Sequence, residues 1–510
     1  MGRFACSLSS ILLLASTGPA IVLDGSFDDW SGAATLVSDP ADAPQGFVDF
    51  GAVKASHDDR FVHLLIDFGR EINAQGLEGT VLLLLDGDGD TATGREQHGL
   101  PGVDVIVELT PSDPERPDSP GRGVGLRSTT YQPDSMDETQ RPLSPYDIGF
   151  SFAPTYAASR VEFRMERGAK LPHIPVLFDG PRFSGKLVSV DVSGEMVDET
   201  DAFTYALGSG PRRAAPLQSS DPLARAGGDL RIMCWNAKRN AFFLRSDRCV
   251  PTLRAIQPDL VLMQEVVDGV TANQLRGFFE TELSTGKWGG KWEGWHAVFG
   301  PGTSGGDLHC AIGSRYPLRE VEPLRLVTMP DPPDRTVRTV GAIVEIGEKR
   351  LLAVSVHLKC CGKKGGREDR IRMAEVEAIK SAIKQVTVSE RIDGIVVAGD
   401  LNLVGIRNPL DVLGAGIDLD ETSLEISAPL QLDRSTNATW SDAGEPFTPG
   451  RLDYLLYSDS TFEPGGSFVF DSRDLAARWR ELHGLRADDS PRASDHMPLV
   501  IDLKWAGKPR

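Results

Sequence analysis

The sequence predicts two modules of different class, an all-β sandwich in front and an α/β domain behind it. Three observations carry that reading. Residues 21–207 form short apolar runs separated by Asp-Gly, Pro and Ser clusters, with no amphipathic stretch of ten residues. Residues 229–510 mix buried strand-like runs with helical periodicity. Between them, residues 208–228 (GSGPRRAAPLQSSDPLARAGG) are rich in Gly, Pro, Ser and Ala and have no apolar period. That is a linker composition, and it leaves the modules free to move relative to each other.

The charge divides at the same place. The 510-residue chain has a formal net charge of −19. Residues 21–207 hold 32 acids against 14 bases, or −18, whereas residues 208–510 hold 41 against 39, or −2. An acidic chain is no general polyanion binder. A phosphate-handling site therefore fits the nearly neutral back module, where it does not work against its own field.

The chain opens on Met1-Gly2-Arg3, an apolar core over 4–17 and the small residues Gly18-Pro19-Ala20. This is the pattern of a secretory signal peptide over 1–20, cut after Ala20, and it predicts a secreted or periplasmic protein. No later stretch reaches 18 apolar residues, so the mature chain has no integral membrane segment. Without Cys6 the cysteines are Cys234, Cys249, Cys310, Cys360 and Cys361, an odd number with no zinc spacing. Export permits disulfides. Cys360-Cys361 can form a neighbour bridge or pair elsewhere, and Cys234, in an apolar strand, reads as a buried thiol.

In the front module, residues 61–68, 81–85 and 103–109 read as strands. Asp86, Asp88 and Asp90 alternate with glycines, and carboxylates so spaced on a loosened loop can converge on a hard cation such as Ca²⁺. A solvated acidic turn is the alternative. The EF-hand pattern fails because Gln97 stands where its glutamate belongs. The opening Asp24-Gly25-Ser26-Phe27-Asp28-Asp29-Trp30, with the Asp-Gly loop, resembles the β-sandwich modules related to carbohydrate-binding and DOMON-type domains. The resemblance implies a glycan or cell-surface ligand.

In the back module, residues 230–235 form an apolar run ending at Asn236, and 247–258 read as a helix. Residues 260–263 end at Gln264-Glu265, and 311–317 and 339–346 are further strand candidates. Residues 351–356 end at His357. Ile371, Ala374, Ala378, Ile379, Ala382, Ile383 and Val386 then fall on one stripe of a 3.6-residue period, which predicts a helix over 369–386. Residues 395–398 lead into Gly399-Asp400-Leu401-Asn402, 452–457 form another strand, and Ser494-Asp495-His496 precedes a last run over 499–503. The recurring feature is an apolar strand with a polar residue at its end: Asn236, Glu265, His357, Asp400, Asn402, Asp453, Asp495 and His496. Singly each suits a turn or a strand terminus. Together they suit one site.

Their order resembles the endonuclease/exonuclease/phosphatase (DNase I-like) superfamily. The pieces are Trp235-Asn236, Gln264-Glu265, Ser314-Arg315-Tyr316-Pro317, Val356-His357-Leu358, Gly399-Asp400-Leu401-Asn402, Arg451-Leu452-Asp453-Tyr454 and Ser494-Asp495-His496-Met497-Pro498. The resemblance implies a four-layer α/β sandwich with its site at one end of two sheets. It implies Mg²⁺ or Mn²⁺ held by Glu265, with Asn236 and Asp495 completing or orienting the shell. Asp400 would position or deprotonate water, and Asn402 would hold the phosphate or that water. His496, oriented by Asp453, would contact the phosphate. His357 matches an additional histidine of the DNase I-like and sphingomyelinase-like branches. Arg315 would reach a phosphate oxygen or form a structural ion pair. An acid paired with a histidine is part of the DNase I-like pattern, and Asp307 is the candidate for it here.

Such a set suits phosphate-ester hydrolysis, which needs a positioned water, neutralised phosphoryl oxygens and help for the leaving oxygen. The expectation is a secreted phosphodiesterase or nuclease acting on nucleic acid. A sphingomyelinase-like enzyme or an inositol-phosphate-type phosphatase is the alternative. A further alternative is a surface-binding protein with an inactive hydrolase domain, against which the complete set of acids and histidines argues. Lys359, Lys363, Lys364 and Arg367 after His357 can steer an anionic substrate or form a solvated loop. The aromatic run 288–299 can pack or wall the site.

Overall fold

Period-two burial organises the back module. In the run 230–236, Ile232 and Cys234 face one way and Met233 and Trp235 the other, and all four are buried. A strand buried on both faces needs a layer on each side. The computed structural model describes residues 20–111, 122–129, 141–171, 176–210, 220–267, 269–283, 294–302, 307–330 and 335–507. The signal-peptide reading up to residue 19, residues 211–219 of the linker and residues 288–293 of the aromatic run lie outside these.

The elements that position the site are β1 (Leu230–Asn236), α1 (Ser246–Ile256), β2 (Leu260–Val267), α2 (Ala272–Leu283), β3 (Leu308–Ser314), β4 (Lys349–His357), α3 (Arg367–Ser389), β5 (Gly394–Asp400), β6 (Asp453–Tyr457) and β7 (Leu499–Trp505). One six-stranded sheet runs 296–299, β3, β2, β1, β7, 462–469. The other runs 318–320, 339–346, β4, β5, β6, 425–426. Each has a parallel pair, β1 with β2 and β4 with β5. A helix crosses over within each pair, α1 in the first and α3 in the second, because parallel neighbours cannot be joined by a hairpin.

Ile232, Cys234, Leu260 and Leu262 of the first sheet share one core with Ala353, Val396, Ala398 and Leu455 of the second. The opposite faces take the helices. Met233, Trp235, Val261 and Met263 pack with Leu253, Ile256, Leu275 and Phe279 of α1 and α2. Leu352, Val354, Ile395 and Val397 pack with Ile371, Val376, Ile379, Ile383 and Val386 of α3. The predicted stripe is therefore the buried face of α3, with Ala374 and Ala378 at its half-buried margin.

The front region is rich in strands. A five-stranded antiparallel sheet (35–38, 52–57, 61–72, 158–166, 151–153) faces a larger one built on 80–86, 105–109, 124–128 and 182–190. Phe68, Phe163, Leu83, Val107 and Phe183 belong to the core between them. Only short 3-10 turns at 28–32 and 145–148 are helical there among the described residues.

The structure differs from the expectation of two loosely tethered modules. The front region lies along three loops of the back one through a hydrogen-bonded seam. The Ala157 amide donates to Gly405 (2.7 Å), the Val124 amide to Pro446 (2.7 Å) and the Leu23 amide to Ser435 (3.0 Å). Asn73 donates to the Val404 carbonyl at 2.8 Å, and Asn437 donates to that of Asp24 at 2.8 Å. Lys363 and Lys364 pair with Glu78 and Glu71 of the front region, which ties them to the seam instead of to a substrate path. Linker composition carries no information about these contacts, because the linker does not make them.

All five described cysteines are free thiols, and Cys234 is buried as expected. Trp295 is buried and stacks on Phe279 at 4.6 Å, so the described part of the aromatic run packs.

Candidate active site

Both parallel pairs end at the same place. β1 and β2 deliver Asn236 and Glu265, and β4 and β5 deliver His357 and Asp400. Strand ends at which two crossovers meet are the usual place for a site in α/β folds. β6 is antiparallel to β5, so Asp453 begins a strand directly opposite Asp400. Asp495 and His496 precede β7, which runs antiparallel to β1.

Asn236 is fully buried and donates to Asp400 Oδ2 at 3.1 Å and to Glu265 Oε1 at 3.4 Å. It thus joins the two sheets across their shared end. Glu265 sits where the β2–β3 register shifts, with φ +57°. Such a bulge with a left-handed non-glycine residue re-aims a side chain that regular alternation would direct elsewhere. A polar link underlies it: Gln264 of β2 donates to Ser355 Oγ of β4 at 3.0 Å, and Ser355 donates to the Met263 carbonyl at 2.9 Å. This link fixes the bulge against the strand that ends in His357.

His496 Nδ1 lies 2.8 Å from Asp453 Oδ2, and its Nε2 lies 3.7 Å from Asp400 Oδ2. Burial opposes a charge on this ring, but the Asp453 and Asp400 carboxylates together outweigh it and lift its pKa to about 10. A carboxylate behind the imidazole also fixes the tautomer. Asp400 is pushed up to about 7, first by burial, with Asp453 and Glu265 adding and His496 opposing. His357 Nε2 lies 3.6 Å from Asp400 and 4.0 Å from Glu265. Burial, then the charges of Arg338 and His496, hold its pKa well below the ordinary value, so the ring is neutral at pH 7. Asn402 follows with φ +51°, its amide on Asp400 Oδ1 at 3.0 Å and its side chain on the Leu358 carbonyl at 3.2 Å.

The structure thus gathers Asn236, Glu265, His357, Asp400, Asn402, Asp453 and His496. Asp495 stands at the rim and meets Lys238 Nζ at 3.0 Å. Of the two readings open for Arg315 the structure shows the ion pair, and the expectation for Asp307 is corrected. Arg315 follows β3, whose Ser314 pairs with Leu260 at the start of β2. Five residues separate that point from Glu265, roughly 16 Å along a strand. Arg315 is ion-paired there with Asp259, remote from the site, because β3 runs opposite to β2. Asp307 pairs with Arg239 instead of a histidine, and His357 Nδ1 is buried with no hydrogen-bond partner among the described residues.

The sequence reading missed Lys238. It bridges Asp442 at 2.9 Å and Asp495, and it starts a run of positive φ through Arg239 and Asn240. The Asp442 amide in turn donates to Tyr146 Oη at 3.1 Å, so the front region touches the rim of the site. The signal available was a basic residue two places after Asn236. Arg338, whose carbonyl accepts the His357 amide, had no signal beyond standing just before the strand 339–346.

Histidine–carboxylate pairing beside hard oxygen donors at the common end of two sheets suits the hydrolysis of phosphoric esters. Residues 230–496 match the Endonuclease/Exonuclease/phosphatase family, and the chain belongs to that family. No curated protein matches the chain. Among solved structures, it is similar to the human Nocturnin catalytic domain with bound sulfate, at 19% identity over 54% of this chain and 94% of that one, TM-score 0.35. It is similar to the 3' phosphatase NExo from Neisseria bound to a product DNA hairpin, at 17% identity over 54% and 100%, TM-score 0.35. It is also similar to truncated Caenorhabditis elegans TDP2, at 16% identity over 54% and 98%, TM-score 0.33.

Proposed function

We propose that this phosphoric ester hydrolase is a secreted, Mg²⁺- or Mn²⁺-dependent phosphodiesterase with nucleic acid as its first substrate. The observation that carries the reading is His496 held between Asp453 and Asp400, with Asn236 and Glu265 beside them. The charged His496 donates from Nε2 to a phosphoryl oxygen as negative charge builds there. Asp400, its basicity raised by burial, accepts the proton of an attacking water. The Asn236 side chain holds Asp400 Oδ2 and the Asn402 amide holds Oδ1, so the orientation of the carboxylate is fixed from both sides. Neutral His357 adds a hydrogen-bonding ring without adding charge.

The donor set fits a hard divalent ion: carboxylates of Glu265 and Asp495 with the Asn236 amide oxygen. When bound, such an ion neutralises charge on the phosphoryl oxygens. The leader pattern in residues 1–20 supports export, and the Asp-Gly-rich opening of the front region supports a carbohydrate-binding or DOMON-like module with a glycan or surface ligand.

The test is hydrolysis by the chain over residues 21–510 with Mg²⁺, Mn²⁺ or chelator. The substrates are duplex DNA, single-stranded DNA, RNA, sphingomyelin, an inositol polyphosphate and bis-p-nitrophenyl phosphate. The expected result is metal-dependent cleavage of a nucleic acid that the Glu265→Ala/His496→Ala variant lacks. Turnover confined to sphingomyelin or the inositol polyphosphate would replace the nuclease assignment with a lipid or monoester one. No turnover on any substrate, with the fold intact, would overturn the phosphodiesterase reading.

A further inference from the structure

The front region contains a second group of acids that the catalytic chemistry does not use. Strand 80–86 ends at Asp86, and Asp104 immediately precedes its antiparallel partner, strand 105–109. Asp88 comes from the turn that leaves Asp86. The carboxylates of Asp86, Asp88 and Asp104 each offer an oxygen, and these oxygens lie within 4.8 Å of one another. Asp90, the third member expected from the Asp-Gly repeat, is exposed and accepts the Ala92 amide instead. Asp104 replaces it because strand pairing carries that residue to the loop.

The second observation is independent of the clustering. Asp104 is 0% exposed, and its Oδ1 has no hydrogen-bond partner among the described residues. Its Oδ2 accepts the Gly87 amide at 3.0 Å. Loop amides likewise fix one oxygen of Asp86 (from Gly89, 2.9 Å) and one of Asp88 (from Asp90, 2.8 Å). No Lys or Arg reaches ion-pair distance of any of the three among the described residues, and Arg182 acts on Asp86 only from farther off. An orphaned carboxylate oxygen in a dry site beside two like charges is a costly arrangement unless a cation completes it. The glycines serve the same closure. At Gly102 (φ +74°) a Cβ would lie 2.8 Å from Thr91 Cα and 3.4 Å from Asp86 Cγ, so only glycine lets the hairpin fold over the acids.

We propose that Asp86, Asp88 and Asp104 form a structural site for one hard divalent cation of the Ca²⁺ type, which pins residues 86–104 to the sheet. Oxygen-only donors on a flexible loop suit Ca²⁺, whereas Mg²⁺ demands stricter geometry and keeps its waters. In the absence of a cation, burial first and then the neighbouring carboxylates lift Asp104 to about 7, while burial and Asp88 lift Asp86 to about 6.

The experiment uses the chain over residues 21–510 carrying Glu265→Gln, so that the catalytic acid contributes no binding. After chelation, Ca²⁺ and Mg²⁺ are titrated separately by calorimetry and followed by thermal unfolding. The same is done with Asp104→Asn, which keeps the shape, and with Asp88→Asn on the half-buried side. One equivalent of Ca²⁺ is expected in the parent, with a higher unfolding midpoint and at least tenfold weaker binding in both variants. Equal binding in parent and variants overturns the site. No Ca²⁺ response in the parent, with a higher midpoint for Asp104→Asn in chelator, overturns it in favour of acids that share protons. Mg²⁺ binding as tight as Ca²⁺ overturns the calcium assignment. If Asp104→Asn fails to fold, Asp88→Asn decides.

Discussion

Two groups of acids in the molecule, one at the catalytic end and one in the front region, are offset in opposite ways. At the catalytic end each carboxylate has a resident partner: Asp453 has His496, Asp400 has Asn236 and Asp495 has Lys238. In the front region Asp86, Asp88 and Asp104 are held, among the described residues, by loop amides and the Thr93 hydroxyl, with Arg182 attracting Asp86 from outside hydrogen-bond reach. Three ligand atoms of His, Cys, Asp or Glu come within 4.8 Å of one another only in the front region among the described residues, here and at Asp39, Asp42 and Asp198. Acids that must do chemistry are spaced by groups that hold or move protons. The front acids are packed together with no such groups between them, the arrangement from which the cation site is proposed.

The largest effect expected from breaking this contrast is at the catalytic end. His496→Ala should lower kcat by ~10²–10³-fold in a phosphodiester assay, the scale of a lost transition-state donor. Asp453→Asn keeps the ring in place but removes its charged partner. It should cost a similar factor and shift the basic limb of the pH–rate profile to lower pH, because Asp453 is the first of the groups that raise the His496 pKa. The link beneath the site comes next. Gln264→Leu leaves the Ser355 hydroxyl without its donor in the core, and an unsatisfied buried group costs about 1–3 kcal/mol. Chemical denaturation should register that loss together with a fall in kcat.

The front cluster gives a smaller, signed effect. In chelator, Asp86 and Asp104 hold protons in the folded chain that they lose in the unfolded one, since their pKa values near 6 and 7 exceed 3.8. Their contribution to stability is fully present below pH 3.8 and is lost as pH rises through 6 to 7. Asp104→Asn should flatten that decline in a pH series of denaturation midpoints, and Ca²⁺ should abolish it. The smallest effect is at Arg315. Arg315→Lys should leave kcat/KM within twofold of the parent, whereas a phosphate-contacting arginine would lose far more.

The same contrast explains what could be read from the sequence. Asn236, Glu265, His357, Asp400 and His496 were legible because each closes or adjoins an apolar run, and a parallel pair sends both run-ends to one side. Arg315 closes a run just as clearly, yet β3 is antiparallel to β2, so the same local pattern points to the wrong end. Strand direction is a property of pairing, which a single run does not encode. Asp104 escaped for a related reason: it stands outside the Asp-Gly repeat and reaches it only through the register of two strands. The seam escaped because its donors, such as Asn73, Ala157 and Val124, are ordinary residues whose partners lie hundreds of positions away.

The most direct test of the account is the rate of bis-p-nitrophenyl phosphate hydrolysis by the parent chain and by Asp453→Asn, each with Mg²⁺ and with chelator. Matched circular dichroism spectra would certify the fold. The account predicts Mg²⁺-dependent turnover in the parent and a loss of ~10²-fold or more in the variant, set by the His496–Asp453 pair. Equal rates in the two chains would contradict it, because the histidine would then work without the carboxylate on which the whole site is built.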